Sequence, residues 1–180
     1  MLPPALARAR QSTDPATLAV AGVIAQGLHA RRKPLIRGLD EEGFRHLVDL
    51  YVPGLACTNG THSAHASHRF EVDEFDEIVA LLLDHRDRSD EEALWLAHAI
   101  ATAAMGDRHL WQDLGLPSRS VLSALMQRHF PGLAALNHND MKWKKFFYRQ
   151  LCDRADIPIC RSPNCADCCD YAFCFGPETD

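Results

Sequence analysis

The chain has 180 residues, 47% of them hydrophobic, and a formal net charge of −5. That length suits one domain with a short tail, and that hydrophobic share can bury a core without help from disulfides. A negative balance argues against general nucleic-acid affinity, which needs a basic surface to release counterions, and no apolar run approaches the roughly 20 residues of a membrane span.

Near the N-terminus, Arg8 and Arg10 precede the apolar stretch "ATLAVAGVIA", a loose imitation of a signal peptide. Asp14 and Pro15 interrupt it and no clear cleavage site follows, so the expectation is an uncleaved cytoplasmic protein. Asp14 as cap and Pro15 at the first turn read as an ordinary helix start. This first helix is expected over 15–31, and a second over 41–52 ("EEGFRHLVDLYV"), stopped by Pro53-Gly54. Residues 53–70 are small and polar and read as an exposed loop. The third helix, about 72–86, carries Val72, Phe75, Ile78, Val79, Leu82 and Leu83 at helical spacing.

Ser89 with Glu92 forms a capping-box pattern for a fourth helix over about 90–105. Ala93, Leu94, Trp95, Leu96, Ile100 and Met105 lie almost all round it, which predicts a central position. "HLWQDLGLP" reads as a connection to a fifth helix over about 118–130, ended by Pro131-Gly132. The sixth helix, about 139–155, buries Trp143, Phe146, Phe147 and Leu151 and carries Lys142, Lys145 and Arg149 opposite. No convincing strand alternation and no internal repeat is present. The expectation is an all-α bundle of about six helices over 1–156, followed by an irregular cysteine-rich tail over 157–180.

That tail, "CRSPNCADCCDYAFC", holds five of the chain's seven cysteines within residues 160–174. Its spacing is Cys160-x4-Cys165-x2-Cys168-x5-Cys174. A C-x2-C pair closes a four-residue turn whose ends lie within about 7 Å, so its two thiolates converge on one centre. Pro163 disfavours helix before that turn. A reducing cytosol favours metal ligation over disulfides. The opening C-x4-C-x2-C matches a plant-type ferredoxin run, although ferredoxins take their fourth cysteine from far along the chain. Zinc sites usually show two well-separated short knuckles, which are missing here. By spacing alone, cluster, zinc and disulfide readings all stay open.

The cysteine run followed by "FGPE" (Phe175 to Glu178) resembles the NifQ family of nitrogen-fixation proteins, as do "MKWKKFFYRQLC" (Met141 to Cys152) and "HLWQDLGL" (His109 to Leu116). The likeness covers most of residues 70–178. It implies a molybdenum-containing iron–sulfur cluster, of Mo-3Fe-4S or 3Fe-4S type, held by Cys160, Cys165, Cys168 and Cys174. It also implies donation of molybdenum to the nitrogenase cofactor-assembly scaffold and the nitrogenase iron protein. Cys169 stands outside the family spacing and leaves the third ligand ambiguous.

Other residues compete with blander readings. Cys152, beside Lys145 and Arg149 on the helical wheel, is a candidate accessory ligand with a depressed thiol pKa, or else a small hydrophobe at a helix end. Lys142, Lys145 and Arg149 suit attraction of molybdate, compensation of cluster charge or docking of an acidic partner, or are simply the solvated face. His62, His65 and His68, with Cys57 nearby, have metal-gathering spacing in a loop whose composition equally suits plain solvation. His98 reads as a core histidine with a satisfied ring, and His109 as a cap or packing residue with an accessory role near the cluster as alternative. No nucleophile–base pair or phosphate loop argues for turnover, so the reading is a delivery protein. A zinc-stabilised helical interaction or regulatory module is the competing one.

Overall fold

The computed structural model describes residues 2–60, 74–156 and 171–178. Among these residues it is helical throughout, with ten helices: α1 Pro4–Ala9, α2 Pro15–His29, α3 Glu41–Tyr51, α4 Glu74–Asp84, α5 Glu92–Ala104, α6 Leu110–Asp113, α7 Arg119–His129, α8 Pro131–Leu136, α9 Trp143–Arg154 and α10 Tyr171–Phe175. The expected six correspond to α2, α3, α4, α5, α7 and α9. The other four are six residues or shorter, too short for a hydrophobic period to register.

Two alanine-rich helices form the axis of the bundle. Ala19, Val20, Ala21, Val23 and Ile24 of α2 and Leu96, Ala97, Ala99, Ile100 and Ala101 of α5 are buried. α2 packs against α1, α3, α5, α6 and α7, while α5 packs against α2, α4 and α6. Small side chains allow close approach from several directions, so the segment that imitates a signal peptide is a core helix. At Gly22 a Cβ would lie 2.0 Å from the Leu114 carbonyl oxygen. The turn it meets passes through Gly115 at φ 66°, in the left-handed region glycine tolerates. No helix among the described residues is long and apolar enough to cross a membrane.

The helix ends refine the expected boundaries. Asp14 caps α2 by accepting from the Thr17 N–H at 2.8 Å, with Pro15 at the first position. At α5 the expected Ser89–Glu92 box does not form. Ser89 bonds to Asp87 instead, and Asp90 accepts from the Ala93 N–H at 3.2 Å. The other oxygen of Asp90 pairs with the buried His129 ring at the end of α7, so this carboxylate serves both a cap and a tertiary contact. Pro131 does follow the end of α7, and it also opens α8, where its missing N–H costs nothing. α9 starts at Trp143 rather than 139 because Asn137 clamps Met141, accepting from its N–H and donating to its carbonyl, both at 2.9 Å.

The segment expected as an exposed loop from residue 53 is partly anchored. Leu55 is buried, and Asn59 is fully buried. The Asn59 side chain accepts from the Ile36 N–H and donates to the Ile36 and Leu39 carbonyls. Pro53, Gly54, Ala56 and Thr58 are exposed, and residues 61–70 of that segment lie outside the described residues.

Gly22→Ala should destabilise the chain by about 2 kcal/mol or more, because the added methyl meets backbone rather than a side chain that can turn away. Urea unfolding followed by circular dichroism checks this; an unchanged midpoint would show that α2 and the Leu114 turn separate at little cost.

Candidate metal centre

The aromatic face of α9 determines how the tail meets the bundle. Trp143, Phe146 and Phe147 are buried, with Trp143 and Phe146 edge-on at 5.9 Å and the Trp143 ring N–H donating to Ser123 Oγ at 3.3 Å. This turns Lys142 and Lys145 outward, and the end of the tail lies on them. The Lys142 N–H donates to the Cys174 carbonyl at 2.8 Å, and Lys142 Nζ reaches the Ala172 carbonyl at 3.5 Å. Lys145 Nζ stands 4.0 Å from the centroid of Phe173, a cation–π contact. Cys174 and Phe175 pack on the core from partly buried positions.

Glu178, which closes the FGPE run, has a side chain only 6% exposed and lies 3.5 Å from Arg119 Nη1 and 3.7 Å from His109 Nδ1. His109 also precedes α6, where its N–H donates to Gln112 Oε1 at 3.1 Å.

Between this tail end and the α5–α6 turn lies a cleft of about 840 Å³, lined among others by Arg108, His109, Lys142, Lys145, Tyr148 and Phe173. Its charges divide unequally. Asp113, buried beneath it, takes both Lys144 and Arg108. Glu178 is taken up by Arg119, and Glu74 accepts from the Tyr148 hydroxyl at 3.0 Å. Burial, with that hydrogen bond and the charge of Glu74, pushes the Tyr148 hydroxyl up to about 12, so it stays a neutral donor. Lys142 and Lys145 contact a carbonyl and a ring, with no carboxylate partner among the described residues. Asp107 is exposed at the α5–α6 side of the lining, so the positive edge of the cleft is the α9 side, beside the segment that bears Cys174.

The sequence-derived candidates separate accordingly. Cys160, Cys165, Cys168 and Cys169, and the His62, His65 and His68 loop, lie outside the described residues. Among the described residues no group of three or more His, Cys, Asp or Glu side chains is arranged to hold a metal. Cys174, Cys152 and Cys57 are each half-buried.

Cys152 departs from expectation, since its thiol pKa is raised rather than lowered, by burial first and then by Asp153 and Glu77. Arg149, expected to activate it, lies 3.9 Å from Asp153. It also lines a different depression, with Asn137 and Phe175, so the basic stripe is split. Cys152 sits ten residues beyond Lys142, about 15 Å of helical rise from the end where Cys174 is tied.

The reading of His98 holds in part, since its ring has a backbone hydrogen bond with Arg37. Its Nδ1 is buried without a hydrogen-bond partner among the described residues, against Gly38, where a Cβ would lie 2.6 Å away, and burial lowers its pKa. The Cys57 thiol is pushed up, mainly by burial. The residues that sequence reasoning missed are Arg119, Asp113, Lys144 and Tyr148. Asp113 falls inside the "HLWQDLGL" run that drew attention, but nothing local marks it as buried.

Comparison with known proteins adds an independent line. A protein named NifQ from Azotobacter vinelandii is 40% identical over 155 residues, covering 81% of this chain and 80% of its own length. A NifQ protein from Rhodobacter capsulatus is 50% identical over 101 residues, 56% of each chain. One from Klebsiella pneumoniae is 48% identical over 82 residues, 44% of this chain and 48% of its own. No solved structure matches significantly. The sequence profile of the NifQ family matches residues 19–176, a span that takes in the α2 axis, the cleft and Cys174. The chain belongs to the NifQ family.

Proposed function

We propose that this chain carries a molybdenum–iron–sulfur cluster as cargo on Cys160, Cys165, Cys168 and Cys174, and donates its molybdenum for assembly of the iron–molybdenum cofactor of nitrogenase. The observation that carries this reading is the tie between the Lys142 N–H and the Cys174 carbonyl, at the edge of a cleft where Lys142 and Lys145 have no carboxylate partner among the described residues. Soft thiolates suit an iron–sulfur centre, whereas molybdate, a hard oxyanion, is a poor partner for thiolate alone. A thiolate-ligated cluster bears net negative charge, which Lys142 and Lys145 beside the Cys174 segment would offset, an attraction that weakens beyond the ~8 Å Debye length at physiological salt.

The recipients are the cofactor-assembly scaffold and the nitrogenase iron protein, with molybdate or another molybdenum source upstream, and the setting is cytoplasmic. The protein acts as a carrier; in this reading it performs no catalytic turnover. Molybdenum already held among sulfides is in a form that moves into a larger sulfide cluster. An accessible site at the surface suits that transfer better than a closed cage.

Anaerobic purification tests the reading directly. Brown protein containing iron, sulfide and molybdenum is the expected result, whereas colourless protein containing zinc would replace this reading with a zinc-stabilised interaction module. Within the site, Ser at Cys160, Cys165, Cys168 or Cys174 should lower iron and sulfide content, since a neutral hydroxyl is a far weaker ligand than thiolate. Cys169→Ser should leave both near the unmodified level, because the C-x2-C spacing from Cys165 and the family spacing both favour Cys168. The reverse pattern, with Cys168→Ser retaining the cluster and Cys169→Ser losing it, would shift the register of the site.

Charge reversal separates the two halves of the basic stripe. Lys142→Glu with Lys145→Glu should reduce molybdenum content severalfold, and Arg149→Glu should not, because Arg149 lies at a different depression beside Asp153. Metal analysis of anaerobically loaded protein at low and physiological salt makes the comparison; equal effects at the two places would mean that general surface charge, not the cleft, matters.

A further inference from the structure

We infer that Arg119 and Glu178 are positioning residues that hold Cys174 in place and so govern how long the cluster is retained; the retention part rests on the function proposed above. α10 has five residues, well short of the length at which a helix sustains itself in water. It buries little, since Tyr171 is 48% and Phe173 62% exposed, and its internal support is the Tyr171–Phe175 ring stack at 4.6 Å. The location of Cys174 is therefore set by what grips the segment from outside.

Two grips flank it, and Arg119 organises both. On one side Arg119 Nη2 donates to the Asp140 carbonyl at 2.6 Å, to Asp140 Oδ1 at 2.9 Å and to the Met141 carbonyl at 3.0 Å. Those contacts, together with Asn137, fix the turn that presents the Lys142 N–H to the Cys174 carbonyl. On the other side Nη1 lies 3.5 Å from Glu178, whose side chain is enclosed. One planar guanidinium thus reaches the turn before α9 and the chain end after Cys174, a task for a rigid fork of donors rather than a single ammonium point charge.

The clasp therefore fixes Cys174, one of the proposed ligands, against the bundle before metal arrives. Loosening the clasp frees that one of the four proposed thiolate ligands to leave the cluster. A firm clasp favours carriage, and a released one favours transfer.

Amide hydrogen exchange of the metal-free full-length chain tests the clasp, because the Lys142 N–H itself makes the bond to Cys174. Glu178→Ala and Arg119→Lys should each accelerate exchange at Lys142 by about tenfold, as expected for local opening of one tethered segment. Amides of α2 and α5 should keep their rates, and Glu178→Gln, which retains an acceptor, should lie nearer the unmodified chain. In anaerobically loaded protein, the same two variants should lose iron to a chelator severalfold faster.

Unchanged Lys142 exchange in both variants would overturn the clasp, and accelerated exchange with unchanged iron loss would overturn its role in retaining the cluster. A loss of protection that spreads through α2 and α5 would also overturn it, since Arg119 would then be a general fold residue. An unmodified chain that takes up no cluster would sink the proposed function instead, and the Lys142 exchange would still decide the clasp.

Discussion

The buried carboxylate of Asp113 is the constraint on which the site depends. A carboxylate taken out of water has to be compensated by charge and hydrogen bonds, and leaving it unpaired costs several kcal/mol. Asp113 meets that demand from two separate parts of the chain: the backbone N–H and guanidinium of Arg108, and the ammonium of Lys144. Gly106 passes so close that a Cβ there would lie 2.5 Å from Asp113 Oδ2, and its carbonyl accepts from the same Lys144. Arg108 continues to Gln26 of α2, and Gln26 to the Gln112 carbonyl. The α5–α6 turn, the central helix α2 and the first turn of α9 are thereby joined at one point.

That junction determines which lysines remain available. Three stand within four residues at the start of α9, and Lys144 is consumed by Asp113. Lys142 and Lys145 are left to face the cleft and the tail, where among the described residues they meet a carbonyl and an aromatic face rather than a carboxylate. The cleft thus acquires its positive edge in a chain whose net charge is −5. Local field and overall charge have different causes, and the local one is what a bound anionic centre would experience.

The two ends of α9 offer different environments to a thiol. Cys152 at its C-terminal end is surrounded by Asp153 and Glu77, and its thiol is held in the protonated form. Cys174, tied at the N-terminal end, lies beside Lys142 and Lys145. A helical wheel places Cys152, Lys145 and Arg149 on one face but says nothing of the carboxylate that α4 contributes, nor of Asp153 drawing on Arg149. The expectation of an activated Cys152 fails for that reason.

Several features were determined by the sequence alone. Apolar periodicity located α2, α3, α4, α5, α7 and α9, because a helix long enough to bury a stripe must write that stripe into the chain. Asp14 and Pro15 announced a helix start because capping is a contact within one turn. The spacing of the tail cysteines and the FGPE run indicated the NifQ family, which a match over residues 19–176 bears out. Only the tertiary structure decided that Asp90 rather than Ser89 caps α5, since the choice depends on His129 of α7. It likewise decided that Asn59 is a buried strut for residues 36–39, that Lys144 is spent on Asp113 while its neighbours are not, and that Glu178 is held by Arg119. Each of these is an electrostatic or hydrogen-bond choice between groups far apart in the chain, and local pattern carries no record of a partner that arrives only when the helices pack.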